Sequence, residues 1–304
     1  MAEALYGEGG FYRVPGAPAE NFRTAAHTGA TWAQAIADLA TQIDTALGEP
    51  DDFAIVDVGA GGGELLTQLA GIAPARWSLV GVDIAARPPG LSSRVDWQRG
   101  FPDKVRGLVL AVELLDVVPV NVLELTAQGP CVVEVDEDGF ERIGSPADPD
   151  DAAWIERWWP LESEGDRAEV GMRRDEMWRD LAGRVSAGVA LAVDYAADAT
   201  RNDGTLTGYR DGRRHLPTPN GRMDLTAHVM FESLEQAGDV VLSQQEGLRR
   251  LGVKATPPKY GGDGDVYLAE LTKASEAAEL LNPYGLGGFS WLARHVGVST
   301  SLLG

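Results

Sequence analysis

Apolar residues recur along this chain with two different periods. Phe53, Ile55, Val56 and Val58 form a nearly continuous apolar and β-branched run, as expected of a strand covered on both faces. Further runs lie at Trp77 to Ile84, Gly107 to Val120 and Val189 to Tyr195, with shorter ones at Val240 to Ser243 and Val266 to Leu271. Elsewhere the spacing is helical. Trp32, Ile36, Leu39, Ile43 and Leu47 predict a helix over 31–47, with Thr28 or Thr31 as its cap and Gly48 and Pro50 at its end. Further helices are predicted after Glu64, over 173–185, 225–237 and 244–251, and beyond Lys273. Strands alternating with helices predict an α/β fold.

Several stretches interrupt this alternation. From Val120 to Ile143, short alternating segments separated by Gln128-Gly129-Pro130 and Asp136-Glu137-Asp138-Gly139 predict an inserted β-hairpin. Residues 145–170 are polar and acid-rich around Trp154, Trp158 and Trp159, and residues 204–222 read as a long loop of the kind that serves a site. Residues 5–27 read as irregular, with Tyr6, Phe11, Tyr12 and Phe22 free either to cover a ligand or to plug a sheet edge.

The candidate chemistry begins where the first strand ends. After Asp57 come Gly59, Gly61, Gly62 and Gly63, then Glu64 and a helical pattern, so backbone N–H groups at a helix start would face whatever lies over the glycines. A dinucleotide fingerprint needs glycines at relative positions one, three and six, and the sixth position here is Glu64, which would repel a pyrophosphate. Asp57-x-Gly59-x-Gly61-x-Gly63 instead resembles the acidic glycine turn of class I S-adenosylmethionine methyltransferases, whose ligand is cationic. A tight turn that holds no ligand is the alternative. Asp83 ends the second strand, 26 residues after Asp57, where a carboxylate accepts from ribose hydroxyls. At the third strand, Asp96 is placed for an adenine amino group and Trp97 for stacking, or both are surface residues. Glu113 and Asp116 end the fourth strand. Either carboxylate would suit a guanidinium, or would cap the following turn. His228 is a candidate base or substrate contact, or a satisfied structural histidine near a helix start, and Asp224 the N-cap of that helix.

Composition narrows the class. The 304 residues are 44% hydrophobic, enough for a large core, and no apolar run approaches the length that spans a bilayer. The net charge of −20, from 26 basic and 46 acidic residues, disfavours nucleic acid and suits a basic protein segment, or simply keeps the chain in solution. Cys131 is the only cysteine, which excludes an internal disulfide and a multi-cysteine metal site; no metal is expected. No targeting pattern opens the chain, so a cytoplasmic protein without membrane partners is expected, of undefined oligomeric state.

Several blocks together resemble the MidA-type branch of class I S-adenosylmethionine methyltransferases, whose mitochondrial members methylate an arginine during respiratory complex I assembly. They are LYGEGGFYRVPG, FRTAAHTGATWAQAIA, IVDVGAGGGELL, LAVELLDVVPV, GVALAVDYA, GTL, DLTAHVMFESL and SQQEGLRRLGV, in the family's order from about Leu5 to Val253. The family's asparagine before Glu113 is Val112 here, and residues 145–170 match poorly. The resemblance implies a single class I methyltransferase domain over 1–304, with a Rossmann-like, seven-stranded, mostly parallel sheet and helices on both faces. In it, segment 1–30 and an insertion of about 120–185 would form a substrate-side subdomain. It places cofactor contacts at Gly59, Gly61, Gly63 and Asp83, and Glu113, Asp116, Asp224 and His228 in the blocks lining the reaction cleft. The implied activity is methyl transfer to a protein arginine. A small-molecule O- or N-methyltransferase and a non-catalytic assembly or binding factor on the same fold remain alternatives.

Overall fold

Strand β1 (Phe53–Val58) sits inside a seven-stranded sheet because its residues are apolar in both alternating sets. Phe53 and Ile55 point to one face, Val56 and Val58 to the other, and all four are buried. A computed structural model describes residues 1–13, 29–198 and 203–303 of the chain. β1 pairs in parallel with β2 (Ser78–Val82) on one side and β4 (Val105–Val112) on the other. The parallel ladder continues from β2 to β3 (Val95–Gln98) and from β4 to β9 (Val185–Asp194). β14 (Ser290–Val296) comes next, and β13 (Val240–Ser243) closes the edge antiparallel to it, giving the order β13-β14-β9-β4-β1-β2-β3. The chain thus has the expected mostly parallel α/β sheet. Its winding reverses at β1, and sheets of this kind bind ligands beyond the carboxyl ends of the strands at such a reversal.

Two compact units make up the described residues. The first comprises the described parts of Arg23–Glu113, Leu181–Val193 and Gln236–Gly304, and contains this sheet. One face of the sheet packs on the helix Ala30–Ala46 through Trp32, Ile36, Leu39 and Ile43, and on the helix Glu64–Ile72 through Leu65, Leu66 and Leu69. Trp32 meets Trp291 of β14 edge to face, with ring centroids 5.9 Å apart, which locks the helix against the sheet. Truncating a side chain such as Ile36 to alanine in this core costs about 2–5 kcal/mol. Of the expected caps for Ala30–Ala46, Thr28 lies outside the described residues. Thr31 is already inside the first turn, where its hydroxyl donates to Glu276 Oε2 at 2.7 Å. The N-cap position is Gly29.

The other unit gathers the described parts of Met1–Phe22, Leu114–Asp180 and Asp194–Glu235. The predicted hairpin is present as β5 (Asn121–Thr126) and β6 (Gly129–Val135), extended by β7 (Glu141–Pro146) and, on the far side of β5, by β8 (Arg167–Val170). The Asp136 carboxylate accepts from the Asp138 and Phe140 amides at 3.0 and 2.9 Å and so shapes the second turn. Within the acid-rich segment, Asp148 caps the helix Pro149–Trp158, which buries Trp154 and Ile155 with Trp159 against Leu123, Ala168 and Val170.

Three sequence expectations are corrected. Residues 204–222 are not all loop: they carry the strands β10 (Thr207–Arg210) and β11 (Arg213–His215), and β10 pairs on its other side with β12 (Asp224–Thr226). The helix expected over 225–237 shrinks to Phe231–Leu234, because Leu225, Ala227 and Val229 alternate and β12 finds a partner in β10. Val266 to Leu271 is not the last strand but part of the helix Gly264–Leu280. Asp263 caps it by accepting from the amides of Asp265 and Val266 at 3.0 and 3.2 Å. The missing strand is β14, in the region expected to be helical.

Candidate functional site

The glycine loop is held from both sides. The Gly59 amide donates to Val82 O at 2.8 Å, the Gly63 amide donates to Ala60 O at 2.8 Å, and the Gly61 amide donates to Asp83 Oδ2 at 2.9 Å. Asp83 also accepts from the Ala85 amide through Oδ1 at 2.7 Å, so this one carboxylate joins the ends of β1 and β2. Gly61 has φ +56°, which side chains resist, and a Cβ built on it meets no atom within 4 Å. Gly63, at φ +73°, has no such room: its Cβ would stand 2.8 Å from Leu91 and 3.5 Å from the Trp97 ring. Both glycines are favoured by their backbone; Gly61 borders open space, and Gly63 stands against Leu91 and Trp97.

Asp57 is buried beneath this loop, and its pKa is pushed up to about 7 by that burial, then by the charges of Asp83 and Glu64. A buried carboxylate among like charges is stabilised by a cation and repels an anion. The amino and sulfonium groups of S-adenosylmethionine therefore fit this loop, and a pyrophosphate does not. Trp97 is half-buried, rests against Gly81 and donates its indole N–H to Ala85 O at 3.2 Å. Asp96 points to the other side of β3, is exposed, and accepts from Gln98 Nε2 at 2.6 Å. Glu113, directly after β4, is one of three described non-glycine residues with positive φ, at +50°; its amide donates to Val193 O at 2.8 Å. Side chains adopt that backbone at a cost that surrounding structure must offset, and such residues concentrate at working sites.

Asp116, Asp224 and His228 lie in the other unit. Asp116 is buried, and its backbone is fixed at both ends: its amide donates to Asp194 Oδ2 at 3.1 Å, and its carbonyl accepts from Arg174 Nη2 at 2.8 Å. Asp194 accepts also from the Leu115 and Tyr195 amides, and burial raises its pKa to about 6. Arg174 is fully buried, which lowers its pKa, and donates to the carbonyls of His228 and Val118 as well, at 2.6 and 3.4 Å. Asp224 is not a helix cap. It opens β12 and accepts from the Tyr12 hydroxyl at 2.8 Å. Burial raises Asp224 to about 6 and, with the charges of Asp224 and Asp116 behind it, raises Tyr12. His228 does lie near a helix start, two residues before Met230, the N-cap of the short helix Phe231–Leu234, and its ring stacks on Tyr195 at 5.8 Å. Sequence reading missed Arg174, Asp194 and the Tyr12 hydroxyl bond. Arginine and aspartate in amphipathic or strand-end positions carry no local sign of being buried.

A sheet in this order, with a glycine loop at its reversal and a carboxylate ending the next strand, defines a class I methyltransferase fold. A family model described as "Putative S-adenosyl-L-methionine-dependent methyltransferase" matches residues 35–253, and the chain belongs to that family. The cofactor that fits the loop on physical grounds is thus the family's own. Protein arginine methyltransferase NDUFAF7, mitochondrial, of Bos taurus is 31% identical over 175 residues, covering 52% of this chain and 38% of that protein. Its Mus musculus counterpart is 31% identical over 153 residues, covering 47% and 34%. The match therefore spans well under half the length of these relatives. A Burkholderia thailandensis protein bound to S-adenosyl-homocysteine superposes with a TM-score of 0.82 at 24% identity, covering 98% of this chain and 87% of that one. A second crystal structure from that organism gives 0.80 at 24% identity, covering 99% and 87%. Both share the fold. Among the described residues, no helix is long and apolar enough to cross a membrane.

Proposed function

We propose that this chain transfers a methyl group from S-adenosylmethionine to an arginine of a protein, in the cytoplasm. The observation that carries the cofactor half is the buried Asp57 beneath an open glycine turn tied to Asp83. The acceptor half rests on the curated relatives named as protein arginine methyltransferases, and on the acids Glu113 and Asp116. Bound S-adenosylmethionine supplies an electrophilic methyl carbon on a sulfonium, so the chain needs chiefly to orient the acceptor, exclude water and take up a proton.

In this reading Asp57, Gly59, Gly61 and Gly63 receive the amino acid part of the cofactor and Asp83 its ribose. Asp96 and Trp97 serve the adenine, Trp97 as a packed wall. Glu113 and Asp116 are the counter-charges for a guanidinium, whose N–H fork suits carboxylates and whose positive charge they would draw away from the attacking nitrogen. His228 is the candidate base. A second reading, a binding factor that keeps the fold without turnover, is favoured by Val112, an apolar side chain packed on the core where the family resemblance calls for asparagine.

The test is transfer of tritiated methyl from S-adenosylmethionine into an arginine- and glycine-rich peptide and into cell protein, against a small-molecule extract. Label in peptide arginine is the expected result. Label confined to the small-molecule fraction refutes the arginine acceptor, and cofactor binding without transfer to any fraction favours the binding factor.

A further inference from the structure

The chain carries 46 acidic and 26 basic residues, yet from Gly208 to Arg222 it sets Arg210, Arg213, Arg214 and Arg222 against one acid, Asp211. Most of that charge sits on the hairpin of β10 and β11. Asp211 and Gly212 form its turn with φ +53° and +68°, the paired positive values that suit a tight two-residue connection. Arg210 and Arg213 stand directly opposite each other across the two strands, so both side chains leave the same face, with Cβ atoms about 5 Å apart. Like charges in that arrangement destabilise a hairpin. Asp211 Oδ2 reaches Arg210 Nε only at 3.9 Å, and Arg213, which is exposed, makes no ion pair among the described residues. Arg214 leaves the other face, where its Nη2 donates to Thr207 Oγ1 at 3.2 Å. Behind the turn, β10 is anchored by its pairing with β12, whose Leu225 is buried. Leu216, directly after β11, is 87% exposed.

We propose that Arg210, Arg213 and Leu216 form a docking surface for a segment of a partner protein that is acidic and carries apolar side chains between its acids. Two guanidiniums held on one face by a stiff turn present their N–H forks side by side, which suits carboxylates at neighbouring positions of such a segment. Pairing them with carboxylates removes the repulsion that the unoccupied hairpin bears. Leu216, next along the chain, gives the apolar side chains of the partner a surface to cover. A nucleic acid fits less well on two counts. It brings one charge for about every 1.7 Å of duplex into the field of a chain of net charge −20, and single strands are held chiefly by aromatic stacking, which a leucine does not supply. A second copy of the chain brings the same net charge and meets the same field. A short acidic segment instead places its few charges at the hairpin, where attraction acts within a screening length of about 8–10 Å. This surface attracts carboxylates and repels guanidiniums, so it serves a chemistry other than that of the arginine acceptor and stands without that reading.

The test is fluorescence anisotropy of the full chain with a fluorescein-labelled peptide of repeating Glu-Leu-Asp, at low and at high salt. Its amide counterpart, repeating Gln-Leu-Asn, and a labelled single-stranded oligonucleotide are the comparison probes. The parent is expected to bind the acidic peptide, more weakly as salt rises, and to leave the amide peptide unbound. Arg213→Glu sets opposite charges across the hairpin and so keeps or raises its stability, while it should lower affinity for the acidic peptide about 10-fold or more. A thermal midpoint at or above the parent's, together with that loss, separates docking from a structural role. Leu216→Ser should lower affinity about 5-fold or more. A parent that leaves the acidic peptide unbound at about 1 mM, or binds the amide peptide equally well, overturns the proposal, as does an Arg213→Glu variant with the parent's affinity. Tighter binding of the oligonucleotide than of the peptide overturns the protein partner, and a dimer seen by sedimentation in the parent and lost in Arg213→Glu assigns the surface to a second copy instead.

Discussion

Replacing Asp57 with asparagine should make the cofactor-free protein more stable and its cofactor binding weaker. The Asp57 carboxyl has its pKa raised from 3.8 to about 7 by burial and by Asp83 and Glu64. A carboxyl raised in the folded state contributes stability that is fully present below the unfolded pKa and is lost as pH rises through the folded one. The window is therefore pH 4 to 7. At 1.36 kcal/mol per pKa unit, the difference amounts to about 4 kcal/mol by pH 8. Asparagine cannot ionise and escapes this loss, but burying its amide costs about 1–3 kcal/mol. The net expectation at pH 8.5 is a variant more stable than the parent by about 1–3 kcal/mol, and at pH 4.5 one equal to it or weaker.

Thermal and urea unfolding at both pH values measure this directly. Calorimetry with S-adenosylmethionine should show affinity reduced about 10- to 100-fold in Asp57→Asn, the value of a charge-assisted contact. The parent should release a proton on binding at pH 6.5, seen as a dependence of the heat on buffer ionisation enthalpy, and the variant should not. If Asp57→Asn is less stable than the parent at pH 8.5 and binds the cofactor equally well, the carboxylate is neither strained by its surroundings nor aimed at a cation.

Other perturbations probe the remaining contacts. Gly61→Val should abolish cofactor binding, because the added side chain enters open space above the loop and strains a backbone at φ +56°, with some loss of thermal stability and the fold kept; retained affinity would remove that loop from the site. Asp83→Ala should weaken binding by about 1.5–3 kcal/mol through loss of a charged acceptor. It should also speed amide exchange at Gly61, whose N–H loses its partner, and exchange at the parent rate would contradict that bond's role. Glu113→Gln combined with Asp116→Asn should keep cofactor Kd and suppress methylation of the arginine peptide, and a double variant with the parent's rate would rule out both as counter-charges.

Local sequence determined much of this protein. The β-branched run of Phe53–Val58, the glycines that turn it and the helix that follows are dictated by steric preferences within a dozen residues, and a second acid after one βα unit places Asp83. The hairpin at β5 and β6 likewise follows from alternation and its turn residues. Tertiary structure decided where local signals conflict or are silent. Val266 to Leu271 is apolar enough for a strand, yet Asp263 caps it as a helix, and Ser290–Val296 becomes the strand because β13 offers it an antiparallel partner. Leu225 to Val229 fits both periods, and pairing with β10 selects the extended form that puts Asp224 on Tyr12 and His228 on Tyr195. Arg174 lay furthest from prediction: a guanidinium is buried only when several carbonyls from distant segments converge on it, and that convergence exists only once the chain has folded.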